Sequence, residues 1–260
     1  MKVISYSLYG SNPKYNVNAI VNCHLAEKIY PDWNLFFYLD NRVPQGVVNA
    51  LESFKNVTII YGDNHREDKV KMMDRFLAAD NNQIEVFISR DCDSWLSYRE
   101  KVCVDEFLSS EKTFHIIRDH CYHSQKIVGG MWGMKHGAFS NMKESISNFI
   151  KSPTSTEGRG FDQAFLADFV YPECVKNSLI HIGNQYNVNG QIANFYNDGG
   201  IPIPNHNVTN FENFPYMEAH RINAFGCICC KKIHQEYIGS MINNIPQETL
   251  RFLGETHGAL

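Results

Sequence analysis

The sequence of 260 residues has no hydrophobic run long enough to span a bilayer, no repeat, no low-complexity segment and no block of like charges. A transmembrane helix requires about 20 predominantly apolar residues, so a membrane-spanning protein is not expected. The first residues also lack the apolar stretch and small-residue cleavage site of a secretion signal. Lys2–Ser7 instead has the pattern of a first β-strand. We therefore predict a cytoplasmic protein, or one that a partner recruits to a membrane surface.

The chain also has no excess of positive charge. It contains 24 Lys and Arg against 28 Asp and Glu, and its formal net charge is -4. Broad nucleic-acid binding favours a basic face, so we expect no nucleic-acid partner. Hydrophobic residues make up 43% of the chain, which is enough for a sizeable core, and a single domain is the default at this length.

Eight cysteines are present, but the chain is neither short nor visibly secreted, so reduced thiols are favoured over disulfides. Cys227 and Cys230 have the C-x-x-C spacing of half a zinc site. A second pair would have to come from His120, Cys121 or His123, which have no standard spacing. Buried free thiols are the simpler interpretation, because cysteine packs as a small apolar residue.

Strand-like and helix-like segments alternate along the first half of the chain. This alternation predicts βαβ units and an α/β fold with a mainly parallel sheet covered on both faces. A capping box that begins at Ser97 marks the start of one helix, which runs to about Ser109. The other predicted elements are strands at Lys2–Ser7, Asn34–Leu39, Val57–Tyr61, Ile84–Ser89 and Thr113–Ile117, and helices at Tyr15–Tyr30, Gln45–Phe54, Lys69–Ala79, Ser140–Ile150 and Phe161–Phe169.

Two further segments are rich in glycine or proline. Gly129–Gly133 is too glycine-rich for a regular helix, and we predict a tight bend that faces a ligand. The alternating prolines of Ile201–Pro204 exclude both a helix and a central strand.

Asp91 and Asp93 form a D-x-D motif directly after the apolar run Val86–Ser89. Ligands bind at strand ends in open α/β sheets, and two carboxylates there can share Mg²⁺ or Mn²⁺. Such a cation can hold a diphosphate and stabilise its leaving charge. The motif is common by chance, however, and a solvated loop whose acids cap the next helix is the alternative.

Several motifs in a fixed order give this D-x-D its context. They are Ser5–Gly10, Tyr30–Trp33, Phe37–Asp40, Ser89–Ser94 with Arg99 and Glu100, Arg118–His120, Gly129–Gly133 and Phe161–Leu166. The series resembles a group of GT-A glycosyltransferases found in bacteria, large DNA viruses and some eukaryotes, and the resemblance covers about residues 1–185. It implies a Rossmann-like, mainly parallel sheet flanked by helices in a single domain 1–260. About 1–185 would bind the nucleotide-sugar, and about 186–260 would be a smaller irregular region that completes the metal and acceptor sites.

The resemblance also implies a role for individual residues. Asp91 and Asp93 would bind Mn²⁺ or Mg²⁺, and Asp93 is the residue favoured as a direct metal ligand. Asp162 and Gln163 would be the catalytic pair that faces the reacting sugar. The donor would be contacted by Ser7, Leu8, Tyr9, Gly10, Asp40, Arg90, Asp91, Cys92, Gly129 and Gly130.

A third metal ligand in such enzymes is often a histidine after the D-Q segment. The resemblance favours His220 here, with His181 and His206 as the other candidates. His181 stands inside the apolar run Leu179–Ile182, which is more typical of a histidine held in a sheet. The sequence Phe225–Cys227 departs from the F-V-G of the family, so the resemblance is weakest in this region.

Several of these residues have a structural alternative. Asp40 is as well suited to capping a turn before Pro44, and Trp132 to filling the core. Arg90 and Arg118 could bind phosphate, since Arg pairs with phosphate in a bidentate way, or form structural ion pairs.

The predicted function is transfer of a sugar from a nucleotide-diphosphate sugar, with UDP favoured, to an acceptor hydroxyl, with a glycan as the favoured acceptor. One alternative is a protein that binds a nucleotide-sugar without turnover, because a fold alone does not establish an activity. Another is a haloacid-dehalogenase-like phosphatase with Asp91 as nucleophile. In that class the D-x-D usually lies near the N-terminus and is followed by small residues and Thr, whereas Ser94 and Trp95 follow it here.

Overall fold

A computed structural model of the chain describes residues 1–119, 123, 125–152, 160–183, 187–188, 191–192, 196, 198–204, 245 and 247–258. The strands in this part of the chain are β1 (Lys2–Leu8), β2 (Asn34–Leu39), β3 (Val57–Tyr61), β4 (Val86–Ser89), β5 (Phe114–Arg118), β6 (Trp132–Lys135), β7 (Ser178–Ile182), β8 (Asn187–Val188), β9 (Gln191–Ile192) and β10 (Ile201–Pro202). The α-helices are α1 (Pro13–Ile29), α2 (Gln45–Glu52), α3 (Asp68–Lys71), α4 (Tyr98–Ser109), α5 (Met142–Lys151), α6 (Phe161–Phe165), α7 (Tyr171–Cys174) and α8 (Gln247–His257). A 3₁₀ helix spans Asp74–Asp80, a π-helix Leu166–Val170 and a second 3₁₀ turn Val175–Asn177.

Eight strands form one sheet in the order β10-β7-β5-β6-β4-β1-β2-β3. All neighbouring pairs are parallel except those of β6, which runs antiparallel to both β4 and β5. This confirms the predicted mainly parallel α/β sheet. The strand β10 lies at the edge of the sheet, where its proline costs no hydrogen bond to a further strand.

Strict alternation along β1 divides the core into two halves. Ile4, Tyr6 and Leu8 point towards the face covered by α1, α2, α4 and α8. Val3 points to the opposite face, which the first 3₁₀ helix, α5 and α6 cover. Successive side chains of a strand point to opposite sides, so Ser7 and Leu8 cannot both reach the same ligand from within β1.

The predicted helix Lys69–Ala79 is instead the short α3 followed by a 3₁₀ helix. Two serines of β1 explain the break. Ser5 Oγ donates a hydrogen bond to the backbone carbonyl of Arg75 at 2.6 Å, and Ser7 Oγ accepts one from the backbone N–H of Arg75 at 2.9 Å. These side chains take backbone groups that a continuous α-helix would pair internally.

The predicted bend at Gly129–Gly133 is confirmed only in its first half. Gly129 and Gly130 form a turn, but the strand β6 begins at Trp132. The Trp132 ring is fully buried and packs edge-on against Phe76 and Phe87, so it fills the core as the alternative interpretation proposed.

Within the described residues, no helix is long and apolar enough to cross a membrane. Cys23, Cys92, Cys103 and Cys174 are free and buried, in agreement with the expectation of reduced thiols. The C-x-x-C pair at Cys227 and Cys230 lies outside the described residues.

A pair of histidines joins the helix α8 to α1. His24 Nε2 and His257 Nε2 are 3.0 Å apart and share a hydrogen bond. Phe54 and Phe252 pack against the His24 ring with centroids at 4.7 and 5.2 Å. Burial, reinforced by His257, lowers the pKa of His24 to about 4 from the ordinary 6.5.

This shift predicts a loss of stability in mild acid. The unfolded chain takes up a proton on His24 near pH 6.5 and the folded chain only near pH 4, so stability falls as the pH falls between these values. His24→Phe should therefore flatten the decline of Tm between pH 6.5 and 4.5, measured by thermal unfolding. His65→Phe at an exposed position should leave the decline unchanged. The same slope in both variants would contradict the assignment to His24.

Candidate active site

A cleft of about 720 Å³ opens at the carboxyl ends of β1 and β4. Ligands of open α/β sheets bind at this edge, and the volume is within the range of small-molecule sites. Four separate parts of the chain contribute predicted residues to its wall, namely the segment that leaves β1, the D-x-D loop, the glycine turn before β6 and the start of α6. The predicted residues that line the cleft are Ser7, Tyr9, Gly10, Asp91, Cys92, Asp93, Gly129, Asp162 and Gln163.

Arg75 stands at the centre of this wall and is not among the residues predicted from the sequence. Its guanidinium is ion-paired with Asp91, and its other terminal nitrogen donates to Asp162 Oδ2 at 2.8 Å. Only 5% of the side chain is exposed. Burial alone would lower the pKa of Arg75, but the charges of Asp91 and Asp162 raise it above its ordinary value. The one available sequence signal was a single Arg inside the mostly apolar Met72–Ala79.

Asp162 projects from the first turn of α6 into the same cluster. Its Oδ1 accepts a hydrogen bond from the backbone N–H of Gln163 at 2.9 Å. Burial raises the pKa of Asp162, Arg75 opposes this effect, and the charge of Asp91 adds to it. Asp162 is thus a buried carboxylate at the cleft wall whose negative charge depends on Arg75.

Gly129 and Gly130 leave room for these carboxylates. A Cβ atom at Gly129 would collide with the Asp162 carboxylate and the Arg75 guanidinium, and one at Gly130 would collide with Asp91. The sequence predicted that the backbone at these glycines would come close to a sugar. In this structure the backbone comes close to the carboxylates of Asp91 and Asp162. A contact of these glycines with a donor stays a prediction.

Asp91 and Asp93 extend from the loop after β4, with 39% and 8% of their side chains exposed. Lys14 of α1 contacts Asp93 Oδ2 through its Nζ at 2.8 Å. Despite this contact, burial and then the charge of Asp91 raise the pKa of Asp93. Among the described residues, two cations, Arg75 and Lys14, pair with the three carboxylates of this wall. Hard carboxylate oxygens with such an excess of negative charge fit a divalent cation such as Mg²⁺ or Mn²⁺.

Within the described part of the chain, no group of three or more His, Cys, Asp or Glu side chains is gathered as a metal site. The candidate third ligands His206 and His220 lie outside the described residues. His181 is buried in β7, where His115 at 2.8 Å and Glu106 at 2.9 Å engage both of its ring nitrogens. This placement agrees with a histidine held in the sheet.

Two asparagines of α1 hold the D-x-D loop in place. Asn22 Nδ2 donates to the carbonyls of Cys92 and Ser94 at 3.2 and 3.0 Å, and its Oδ1 accepts from the Leu96 N–H at 3.0 Å. Asn18 Oδ1 accepts from Trp95 Nε1 at 2.7 Å. Both asparagines are fully buried. Polar residues four apart on a buried helix face were the overlooked signal, because a buried amide needs partners.

Leu8 and Arg90, both predicted to contact the donor, are directed away from the cleft by strand alternation. Leu8 is in the core beside α1. Arg90 lies on the same face, where its buried guanidinium pairs with Glu100 at 2.9 Å. Arg118 likewise forms an ion pair, with Asp198 at 2.8 Å. Both arginines therefore form structural ion pairs, which is the alternative to phosphate binding that the sequence left open.

Asp40 also does not line the cleft, but it supports the segment that does. Its Oδ1 accepts from the Gly10 N–H at 3.1 Å, and Lys71 Nζ contacts its Oδ2 at 2.9 Å. Burial alone would raise the pKa of Asp40, but hydrogen bonds from Lys71, Gly10 and Arg42 lower it to about 2. Gly10 has a φ of 71°, a left-handed conformation that favours glycine.

No protein-family model and no curated protein matches the sequence. Among solved structures, the chain is similar to a glycosyltransferase involved in glycosylation of the major capsid of PBCV-1, with 14% identity, a TM-score of 0.46 and coverage of 70% of this chain and 84% of that one. It is also similar to the galactosyltransferase LgtC in complex with donor and acceptor sugar analogues, with 8% identity, a TM-score of 0.47 and coverage of 71% and 76%. A third is glucosyl-3-phosphoglycerate synthase from Mycobacterium tuberculosis in complex with Mn²⁺, UDP and glucosyl-3-phosphoglycerate, with 11% identity, a TM-score of 0.43 and coverage of 86% and 77%. These are likenesses of fold, and at such values they carry no information on the reaction of this chain.

Proposed function

We propose that this chain is a glycosyltransferase that transfers a sugar from a nucleotide-diphosphate sugar, with a UDP-sugar favoured, to a hydroxyl of a glycan-type acceptor. The supporting observation is the convergence of Asp91, Asp93 and Asp162 on one cleft at the carboxyl edge of the sheet. These acids come from two segments that are far apart in the sequence, and Arg75 joins them. The segment at Tyr9 and Gly10 completes the same wall.

Asp91 and Asp93 are the described residues that would hold Mn²⁺ or Mg²⁺, and His220 stays a proposed third ligand. When bound, such a cation stabilises the negative charge that develops on a departing diphosphate. The charge count of the cluster supports this assignment, because three carboxylates of the cleft wall pair with two cations among the described residues, Arg75 and Lys14.

Asp162 is assigned to the sugar side of the reaction. Glycosyl transfer builds positive charge at the anomeric carbon, as glycoside hydrolysis does, and a fixed carboxylate stabilises that charge. Arg75 and the Gln163 N–H hold the Asp162 oxygens in position. The same carboxylate is suited to accept the proton of the acceptor hydroxyl, because its raised pKa brings it closer to the working pH of a general base.

A phosphatase with Asp91 as nucleophile gains no support from these contacts. Arg75 engages one oxygen of Asp91, and the Asp91 carboxylate packs against Gly130. A nucleophilic carboxylate must present an oxygen that is free to attack phosphorus.

The direct test is nucleotide release from a panel of UDP-, GDP- and TDP-sugars, with Mn²⁺ or with a chelator. Slow hydrolysis of the donor requires no knowledge of the acceptor. We expect release from one donor with Mn²⁺ and none with the chelator. Thermal stabilisation by UDP and Mn²⁺ without release from any donor would favour the binding-only alternative. The absence of both nucleotide release and thermal stabilisation would contradict the proposal. Phosphate release from simple esters would favour the phosphatase.

A further inference from the structure

Lys14 places a positive charge on the carboxylate that the D-x-D loop directs to the cleft. Its Nζ is 2.8 Å from Asp93 Oδ2, and 22% of its side chain is exposed. The same Nζ lies 5.3 Å from the ring centroid of Tyr15, which itself lines the cleft. The ammonium therefore lies next to two side chains that line the cleft, Asp93 and Tyr15.

The backbone that carries Lys14 is fixed at the start of α1. Asn12 caps α1 by accepting a hydrogen bond from the Lys14 N–H at 3.0 Å, and Pro13 occupies the first position of the helix. A lysine stem of four carbons on such an anchor can move its ammonium by several ångströms without any change of the backbone.

A cation bound by Asp93 would compete with this ammonium. Both are positive, and like charges that share one carboxylate repel each other strongly in a partly buried site. A diphosphate bound beside the D-x-D loop would offer the displaced ammonium a new anion, and lysine is a common phosphate ligand.

We propose that Lys14 is an exchangeable counterion, which neutralises Asp93 before the donor binds and shifts to the donor's diphosphate once Asp93 binds a divalent cation. This inference rests on the proposed function. It assigns Lys14 two opposite effects, because the residue opposes binding of the cation alone and favours binding of the nucleotide with the cation.

Lys14→Met tests both effects with ligands that need no knowledge of the sugar. Mn²⁺ alone is titrated by electron paramagnetic resonance of the free ion, and UDP is titrated calorimetrically at saturating Mn²⁺. We expect the Kd for Mn²⁺ to fall and the Kd for UDP to rise, each by about tenfold, which is the usual effect of one hydrogen bond to a charged group. Lys14→Arg retains a cation and should keep the Kd for Mn²⁺ close to that of the wild type.

Lys101→Met is the matched control. Lys101 also pairs with one aspartate, Asp105, at 2.5 Å, and 23% of its side chain is exposed. Its partner Asp105, unlike Asp93, does not line the cleft, so both dissociation constants should stay at wild-type values. Tm is measured for each variant to confirm that it folds.

Different outcomes overturn different parts of this inference. An unchanged or higher Kd for Mn²⁺ in Lys14→Met would show that Lys14 does not compete with the cation. A lower Kd for Mn²⁺ with an unchanged Kd for UDP would refute the shift to the diphosphate. If wild-type protein binds UDP and releases nucleotide while neither constant changes in the variant, the inference fails and the proposed function stands. If wild-type protein binds no UDP at all, both the inference about Lys14 and the proposed function are refuted.

Discussion

Replacement of Asp93 by alanine is expected to lower Mn²⁺-dependent nucleotide release by about 10³-fold, the effect of removing one group that stabilises developing charge. Tm should nevertheless stay the same or rise. The pKa of Asp93 is raised by burial and by Asp91, so above that pKa the folded protein carries this charge at a cost in stability. Lys14 loses its contact with Asp93, but it is partly exposed and solvent can hydrate it.

The measurement pairs nucleotide release with thermal unfolding on the same sample. Asp105→Ala serves as the control, because it removes an aspartate paired with a lysine outside the cleft and should leave release unchanged. Turnover of Asp93→Ala at the wild-type rate would refute the assignment of the D-x-D motif. A large drop in Tm would show that Asp93 is mainly a structural residue.

Arg75→Met is expected to have the opposite effect on stability. It leaves Asp162 buried without its cation, and breaking a buried ion pair on one side costs about 3–5 kcal/mol. Nucleotide release should also fall by at least about 10²-fold, because Asp162 then loses both its orientation and its charge. Equilibrium unfolding in urea gives the stability, and the donor panel gives the activity.

Two further measurements separate charge from geometry at Arg75. Arg75→Lys keeps the charge but lacks the planar fork that reaches Asp91 and Asp162 together, so it should recover part of the stability and little of the activity. The stability difference between Arg75→Met and the wild type should also shrink as the pH falls, because the unpaired Asp162 can then become neutral. A difference that is constant with pH would argue that Arg75 acts through packing alone.

Local chemistry determined much of this fold. Ser97 caps α4 as the sequence indicates, with its Oγ accepting a hydrogen bond from the Glu100 N–H at 3.2 Å, whereas the Glu100 carboxylate pairs with Arg90. The β-branched and aromatic runs form strands at Asn34–Leu39 and Val57–Tyr61 with the predicted bounds. The prolines after Gly200 confine that segment to the sheet edge. Each of these features depends on residues within a few positions of one another, so the sequence suffices to predict them.

The sequence also placed the D-x-D loop and the start of α6 at one ligand-binding edge, through a resemblance that extended over several motifs. It could not determine which of the predicted residues would face the cleft. Strand alternation sends Ser7 to the cleft and Leu8 to the core, and it does the same with Asp91 and Arg90 after β4. Which of the two faces carries the site depends on what packs against the sheet.

The ion pairs at the site were determined by tertiary structure alone. Arg75 lies 16 positions before Asp91 and 87 before Asp162, and Lys14 meets Asp93 across the gap between α1 and the loop after β4. No periodicity or spacing relates such residues, because their contact depends on how strands and helices cross in space. The sequence by itself determined the sheet and the carboxylates at its edge, while only the packing of distant segments decided which cations neutralise those carboxylates.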